Sequence, residues 1–197
     1  MNERHAMPRA GDRTGGAAPF EGLPSIRRAR TAEAALLSRF MAHAFLDAFG
    51  HGSRQEDVLA HVRHHFSAAR QSRELTDPAC VTLVIGPPGD YAGYAQLVFG
   101  QPAPEALQAQ APVEMRRFYL RRDLHGRGWA ASLMEAAKAT ARERGADALW
   151  LSVWQQAPRA IRFYRKHGFE TIGTAVFHVG TDPQKDWLMA CRLPAGG

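Results

Sequence analysis

The chain has 197 residues, a formal net charge of +6 and 45% apolar residues, the balance of a globular protein large enough to bury a core without disulfides or metals. No apolar run approaches the length of a membrane span, and the basic N-terminus lacks the apolar stretch of a secretory signal. The two cysteines, Cys80 and Cys191, sit in apolar runs and read as reduced core thiols, so a cytoplasmic protein with no membrane partner is expected.

Residues 1–24 combine Gly, Pro, Ala and Arg without an apolar period and read as a disordered leader. Ser25–Arg30 is a short strand candidate, and Thr31 offers a helix N-cap. Leu36, Leu37, Phe40, Met41, Ala44, Phe45 and Ala48 recur at helical spacing, which predicts an amphipathic helix up to Phe49, ended by Gly50 and Gly52. A second helix, rich in His and Arg, is expected from Gln55 to Ser72. Its His61, His64 and His65 share one face, read as solvated rather than metal-binding; no metal is expected.

Cys80–Ile85 and Tyr91–Phe99 read as a hairpin around Gly86-Pro87-Pro88-Gly89-Asp90. A proline-containing loop over 100–112 precedes a strand at Val113–Arg121. A helix over Gly126–Arg144, a strand at Ala148–Trp154 and a short helix over Pro158–His167 follow. Two further strands, Phe169–Val179 and Asp186–Leu193, flank the turn Gly180-Thr181-Asp182-Pro183. The alternation predicts an α/β protein, with a sheet of mixed direction and helices on its faces.

The most informative segment runs from Phe118 to Ala130. A β-rich strand enters a turn with Gly126 and Gly128 at alternate positions, and a helix begins at once. Backbone amides at such a turn make an anion-binding nest, and the helix N-terminus adds its unsatisfied donors. The glycines let a phosphate approach the backbone. Arg127 is placed to add a charged contact, and Ala130, Ala131 and Ser132 leave the first helical turn uncrowded. The turn fits neither the Rossmann nor the P-loop pattern. The basic excess points the same way, to an anionic partner, and no nucleic-acid motif is present.

His125-x-x-Gly128-x-Ala130 resembles the pyrophosphate turn of the GNAT superfamily of N-acetyltransferases, with His where the family carries Gln or Arg. Leu149–Trp154 followed by Ala160–Phe169 resembles the family's fifth strand and following helix, with Ala157 where the family has Asn. Gln155 and Gln156 are the neighbours able to substitute for it. The resemblance spans about 25–193, is strongest from 113 onward, and makes 25–194 one domain. Within the family the C-terminal half is similar to the PaiA-like polyamine acetyltransferases, through 149–154, 160–166 and 180–190. The resemblance implies a mostly antiparallel central sheet flanked by helices, with strands four and five splayed.

It also implies that acetyl-CoA is the acetyl donor and a primary amine the acceptor, attacked directly in a ternary complex. The acceptor is expected to be a small amine or polyamine, with a protein amine as the alternative; a homodimer is left open. The cofactor-binding set is Phe118, Tyr119, Leu120, His125, Gly126, Arg127, Gly128, Trp129, Ala130, Ser132 and Trp154. A backbone N–H near Leu120 would polarise the acetyl carbonyl. Tyr164 is the expected general acid. Glu114 is the expected base, on one face with Arg116, Phe118 and Leu120 by period-two counting. Arg116 stands where the PaiA-like pattern carries an acid, which opposes a polycationic acceptor. His178 and Asp186 are candidates to line the acceptor pocket. The competing reading is a module that binds acetyl-CoA and has lost catalysis.

Overall fold

The computed structural model describes residues 25–49, 55–179 and 182–194; the expected leader and the turn residues Gly180 and Thr181 lie outside the described residues. Strands β1 (Ile26–Arg28), β2 (Cys80–Ile85), β3 (Gly93–Phe99), β4 (Pro112–Leu120), β5 (Ala148–Trp154), β6 (Glu170–Val179) and β7 (Asp182–Arg192) form one sheet in the order β1-β2-β3-β4-β5-β7-β6. Every neighbouring pair is antiparallel except β4 with β5. Helices α1 (Ala34–Phe49), α2 (Gln55–His65) and α3 (Ala68–Thr76) precede β2. Helix α4 (Trp129–Glu143) links β4 to β5, and α5 (Pro158–Lys166) links β5 to β6.

Side-chain alternation along the strands divides the core in two. On one face Leu97, Met115, Leu149, Leu151 and Met189 pack with Leu133, Met134, Ala137 and Ala141 of α4. Those four α4 positions form a single stripe, and burying a Leu or Met side chain there contributes roughly 2 kcal/mol. On the other face Val84, Tyr91 and Tyr94 pack with Leu37, Met41 and Phe45 of α1. No described helix is long and apolar enough to cross a membrane.

Two expectations about the helices need correction. The helix foreseen over 55–72 is two helices. It stops at His65, and the Ser67 side chain accepts a hydrogen bond from the Arg70 amide at 3.3 Å, capping α3. The histidine face is also only partly solvated, with His64 exposed and His61 and His65 half-buried. The His61 ring stacks on Phe45 at 4.4 Å and lies 4.2 Å from His65. Burial, with help from His65, Arg117 and His64, pushes the His61 imidazole down to about 4.

Strand β4 carries the irregularity that shapes the site. Gln96 pairs with Arg117 and Leu97 with Met115, so Arg116 has no residue opposite it. The extra residue is a β-bulge, and it reverses the alternation of β4 while β3 stays regular. Val113 and Met115 before it, and Phe118 and Leu120 after it, all join the α4 side, whereas Tyr119 joins the α1 side. The expected single face for Glu114, Arg116, Phe118 and Leu120 is therefore broken. Glu114 and Arg116 are side by side, but Phe118 and Leu120 turn to the opposite face.

Candidate active site

Strands β4 and β5 pair only from Pro112 to Glu114 and from Ala148 to Trp150. Beyond that point β4 stays bonded to β3 up to Leu120, and β5 stays bonded to β7 up to Trp154. The two strands part as a fork whose inner edges expose backbone donors and acceptors not used by the sheet. Unpaired edges of this kind bind an extended ligand as an added strand would.

The turn that follows β4 lies at the open end of the fork. Residues Arg122–Leu124 make one 3-10 turn, and Gly126 and Gly128 adopt φ of +85° and +82°. A Cβ at either glycine would meet nothing within 4 Å, so conformation rather than crowding requires glycine there. Gly128 is the N-cap of α4, and no side chain caps the helix. The N-terminus of α4 thus presents its first amides to the turn, as helix N-termini that bind anions do. The Ser132 amide and hydroxyl both donate to the Gly128 carbonyl, at 3.1 and 3.5 Å. Arg127 is exposed. His125, the departure from the family's Gln or Arg, approaches the Leu120 carbonyl with Nε2 at 3.1 Å and ties the turn to the end of β4.

Tyr164 of α5 lies on the α4 side of the fork. Its ring meets Phe118 of β4 edge-on at 6.2 Å and Phe169 at 5.6 Å. Burial raises the hydroxyl pKa well above its usual value, with Tyr119 adding to the rise. The group stays protonated at neutral pH. Ala157, at the N-cap of α5, makes no side-chain cap. Gln155 is turned toward β7, where its side chain donates to the Asp186 carbonyl at 3.4 Å.

The α1 side of the fork is polar. Glu114 stands at its vertex opposite Trp150, and Arg116 holds its carboxylate at 2.7 Å. Tyr119 stacks on Tyr94 at 5.4 Å. Burial pushes the Tyr119 hydroxyl up to about 12, with Arg117 opposing the rise and Asp186 adding to it. Arg117 itself is ion-paired to Glu74 at 2.7 Å and stacked over Phe66. Trp154 lies opposite Asp186 in the β5–β7 register. Ser152 is an exposed residue on the same face, and its hydroxyl donates to Asp186 at 2.5 Å. The side chain of His178 lies outside the described residues.

The structure thus gathers Phe118, Tyr119, Leu120 and the turn residues along one arm of the fork, with Trp154 at the end of the other. Glu114 sits apart at the vertex. Ser152 did not stand out in the sequence; the available signal was its place as the single polar residue in the run Leu149–Trp154.

Residues 40–169 match the sequence model of the Acetyltransferase (GNAT) family. An uncharacterised N-acetyltransferase of Mycobacterium tuberculosis is 37% identical over 138 residues, 70% of this chain and 83% of that protein. An uncharacterised N-acetyltransferase of Lactobacillus delbrueckii subsp. lactis is 29% identical over 149 residues, 76% of this chain and 86% of that protein. Among solved structures, the PaiA N-acetyltransferase of Thermoplasma acidophilum in complex with coenzyme A is similar in fold. Its TM-score is 0.67 at 16% identity, covering 86% of this chain and 98% of that one. The match over most of the chain, together with the forked sheet and its glycine turn, means that the chain belongs to the GNAT family of acetyltransferases.

Proposed function

We propose that the protein transfers the acetyl group of acetyl-CoA to a primary amine, by direct attack in a ternary complex. The observation that carries this reading is the fork, in which β4 and β5 stop pairing after Glu114 and Trp150 yet run on to Leu120 and Trp154. Acetyl-CoA is a substrate here. Its pantetheine arm would lie between the parted strands, and its pyrophosphate would meet the amides at Gly126–Ala130, with Arg127 alongside. Phe118, Tyr119, Leu120, Ser132 and Trp154 line the path, and His125 and Trp129 fix the turn.

The chemistry assigned to the side chains follows from their states. Tyr164 holds its proton at neutral pH and serves as the acid that protonates the departing thiolate. Glu114 serves as a base only if Arg116 releases it, because the guanidinium donates to its carboxylate through Nε and Nη2. The same arginine puts a cation at the vertex of the fork on the α1 side. A small amine with one positive charge suits that side better than a polyamine, which would bring like charges together. The test is release of free thiol from acetyl-CoA over a panel of amines graded in charge. Turnover with monoamines supports the reading. Binding of acetyl-CoA with no thiol release from any amine refutes it.

A further inference from the structure

We propose that Ser152 and Asp186 form a proton relay that deprotonates the acceptor amine, an inference that rests on the acetyl-transfer reading above. Four observations carry it. Asp186 is only 5% exposed, although it is a carboxylate. Its Oδ2 accepts from the Ser152 hydroxyl at 2.5 Å, while its Oδ1 is buried with no hydrogen-bond partner. Ser152 is an exposed residue, so the buried acid is bonded to a side chain at the surface. Finally, Ser152 lies on β5 just past the last residue paired to β4, and Tyr119 of the other arm feels the charge of Asp186. The pair therefore faces the mouth of the fork on the side away from Tyr164.

A buried carboxylate without a cation is costly, and an incoming ammonium is the species that offsets it. Burial also lifts the Asp186 pKa, with the Ser152 hydrogen bond pulling the other way, which makes the carboxylate a better proton acceptor. The groups facing it among the described residues are Ser152 of β5 and Tyr119 of β4, both neutral at pH 7. In the relay an ammonium gives one proton to Ser152 Oγ while the Ser152 proton passes to Asp186 Oδ2. The neutral amine attacks the thioester carbonyl, so a C–N bond forms and the C–S bond breaks. The thiolate takes a proton from Tyr164, and the second proton lost by nitrogen as the amide forms replaces it. Asp186 returns its proton to water through Ser152. Ser152 is the catalytic residue of the pair, and Asp186 acts through it.

The experiment compares full-length wild type, Ser152→Ala and Asp186→Asn in thiol release with saturating acetyl-CoA. A strongly basic alkylamine and a weakly basic aromatic amine are each used from neutral pH up to the alkylamine's own pKa, about 10.4. Acetyl-CoA affinity by calorimetry reports that each variant is folded. With the alkylamine at neutral pH both variants should lose about 100-fold in kcat. The loss should shrink as the pH approaches the amine's pKa, and be small with the aromatic amine, which is already neutral. Loss that is equal at every pH and for both amines overturns the relay and leaves Asp186 a structural residue. A pH limb removed by Glu114→Gln, and not by either relay variant, overturns it in favour of Glu114. If wild type binds acetyl-CoA but releases no thiol with either amine, the acetyl-transfer reading fails and takes the relay with it. A wild type that turns over separates the two.

Discussion

Arg116 folds its guanidinium back onto Glu114, two residues earlier on the same strand, donating from Nε at 3.1 Å and from Nη2 at 2.7 Å. The pair stands at the vertex of the fork on the side proposed to admit the amine. A fixed cation there acts on any charged acceptor, and its effect is strongest on acceptors with a second charge.

Exchange of that cation for an acid should change which amines are accepted. Arg116→Glu is expected to raise kcat/KM for a diamine, relative to a monoamine of the same length, by about tenfold. Competition between the two amines in one thiol-release assay reads the ratio directly. An unchanged ratio would mean that the second charge does not pass Arg116.

Tyr164→Phe isolates the proposed acid. No side-chain hydrogen bond among the described residues holds the Tyr164 hydroxyl, so its removal should leave the melting temperature near that of wild type. Turnover should fall by about 100-fold while the acetyl-CoA Kd changes by no more than about twofold. Equal losses in binding and turnover would reassign the ring to packing against Phe118 and Phe169.

The turn can be tested with a matched control. Gly128 and Gly145 have φ of +82° and +80°, and a Cβ at either meets nothing within 4 Å. Alanine at each should therefore strain the backbone alike, by about 1–2 kcal/mol. Only Gly128→Ala should weaken acetyl-CoA binding, by at least about tenfold, because the added methyl and the altered φ disturb the amides at the start of α4. Calorimetric titration of both variants decides it.

A stability prediction comes from the far side of the sheet. Glu33 accepts hydrogen bonds from Arg27, Arg30 and Tyr91, all within 3.0 Å. Burial raises its pKa, but these partners outweigh the burial and hold it at about 2 against a usual 4.5. A depressed carboxylate pKa contributes stability above the unfolded value, and that contribution is lost as the pH falls from 4.5 through 2. Glu33→Gln should cost about 3 kcal/mol at neutral pH and flatten the acid limb of denaturant midpoints in that window.

His61 gives the opposite case for a base. Its folded pKa of about 4 lies below the usual 6.5, so the unfolded chain takes up the proton first. Stability from this group is complete above 6.5 and declines as the pH falls toward 4. Imidazole NMR titration should place His61 near 4; a value near 6.5 would mean that the stack on Phe45 is not maintained in solution.

The sequence made some of this legible and hid the rest for identifiable reasons. The strand–turn–helix around Gly126 and Gly128, and the alternating run from Leu149 to Trp154 followed by Pro158, are local patterns that need no partner to be recognised. The bulge at Arg116 is defined only by what β3 places opposite it, so period-two counting carried Glu114 onto the wrong face for Phe118. The break at Ser67 was hidden because polar and small residues continue the helical pattern across it. Ser152 and Asp186 are 34 residues apart, and only the antiparallel register of β5 with β7 brings them together. His61 looked solvated because its helix is rich in charge, whereas Phe45 from α1 covers it.

The bulge also has a consequence for how this strand can vary. Drawing Arg116 into the ladder with no residue removed would flatten the bulge and run one uninterrupted alternation along β4. Phe118 and Leu120 would swing to the side of α1, and Arg117 and Tyr119 would be driven into the apolar layer beneath α4. Donor side and acceptor side would exchange places across the fork. Relatives with a working fork should therefore either keep the extra residue between Met115 and Phe118 as a bulge or lack that residue altogether, even where the residues themselves differ freely.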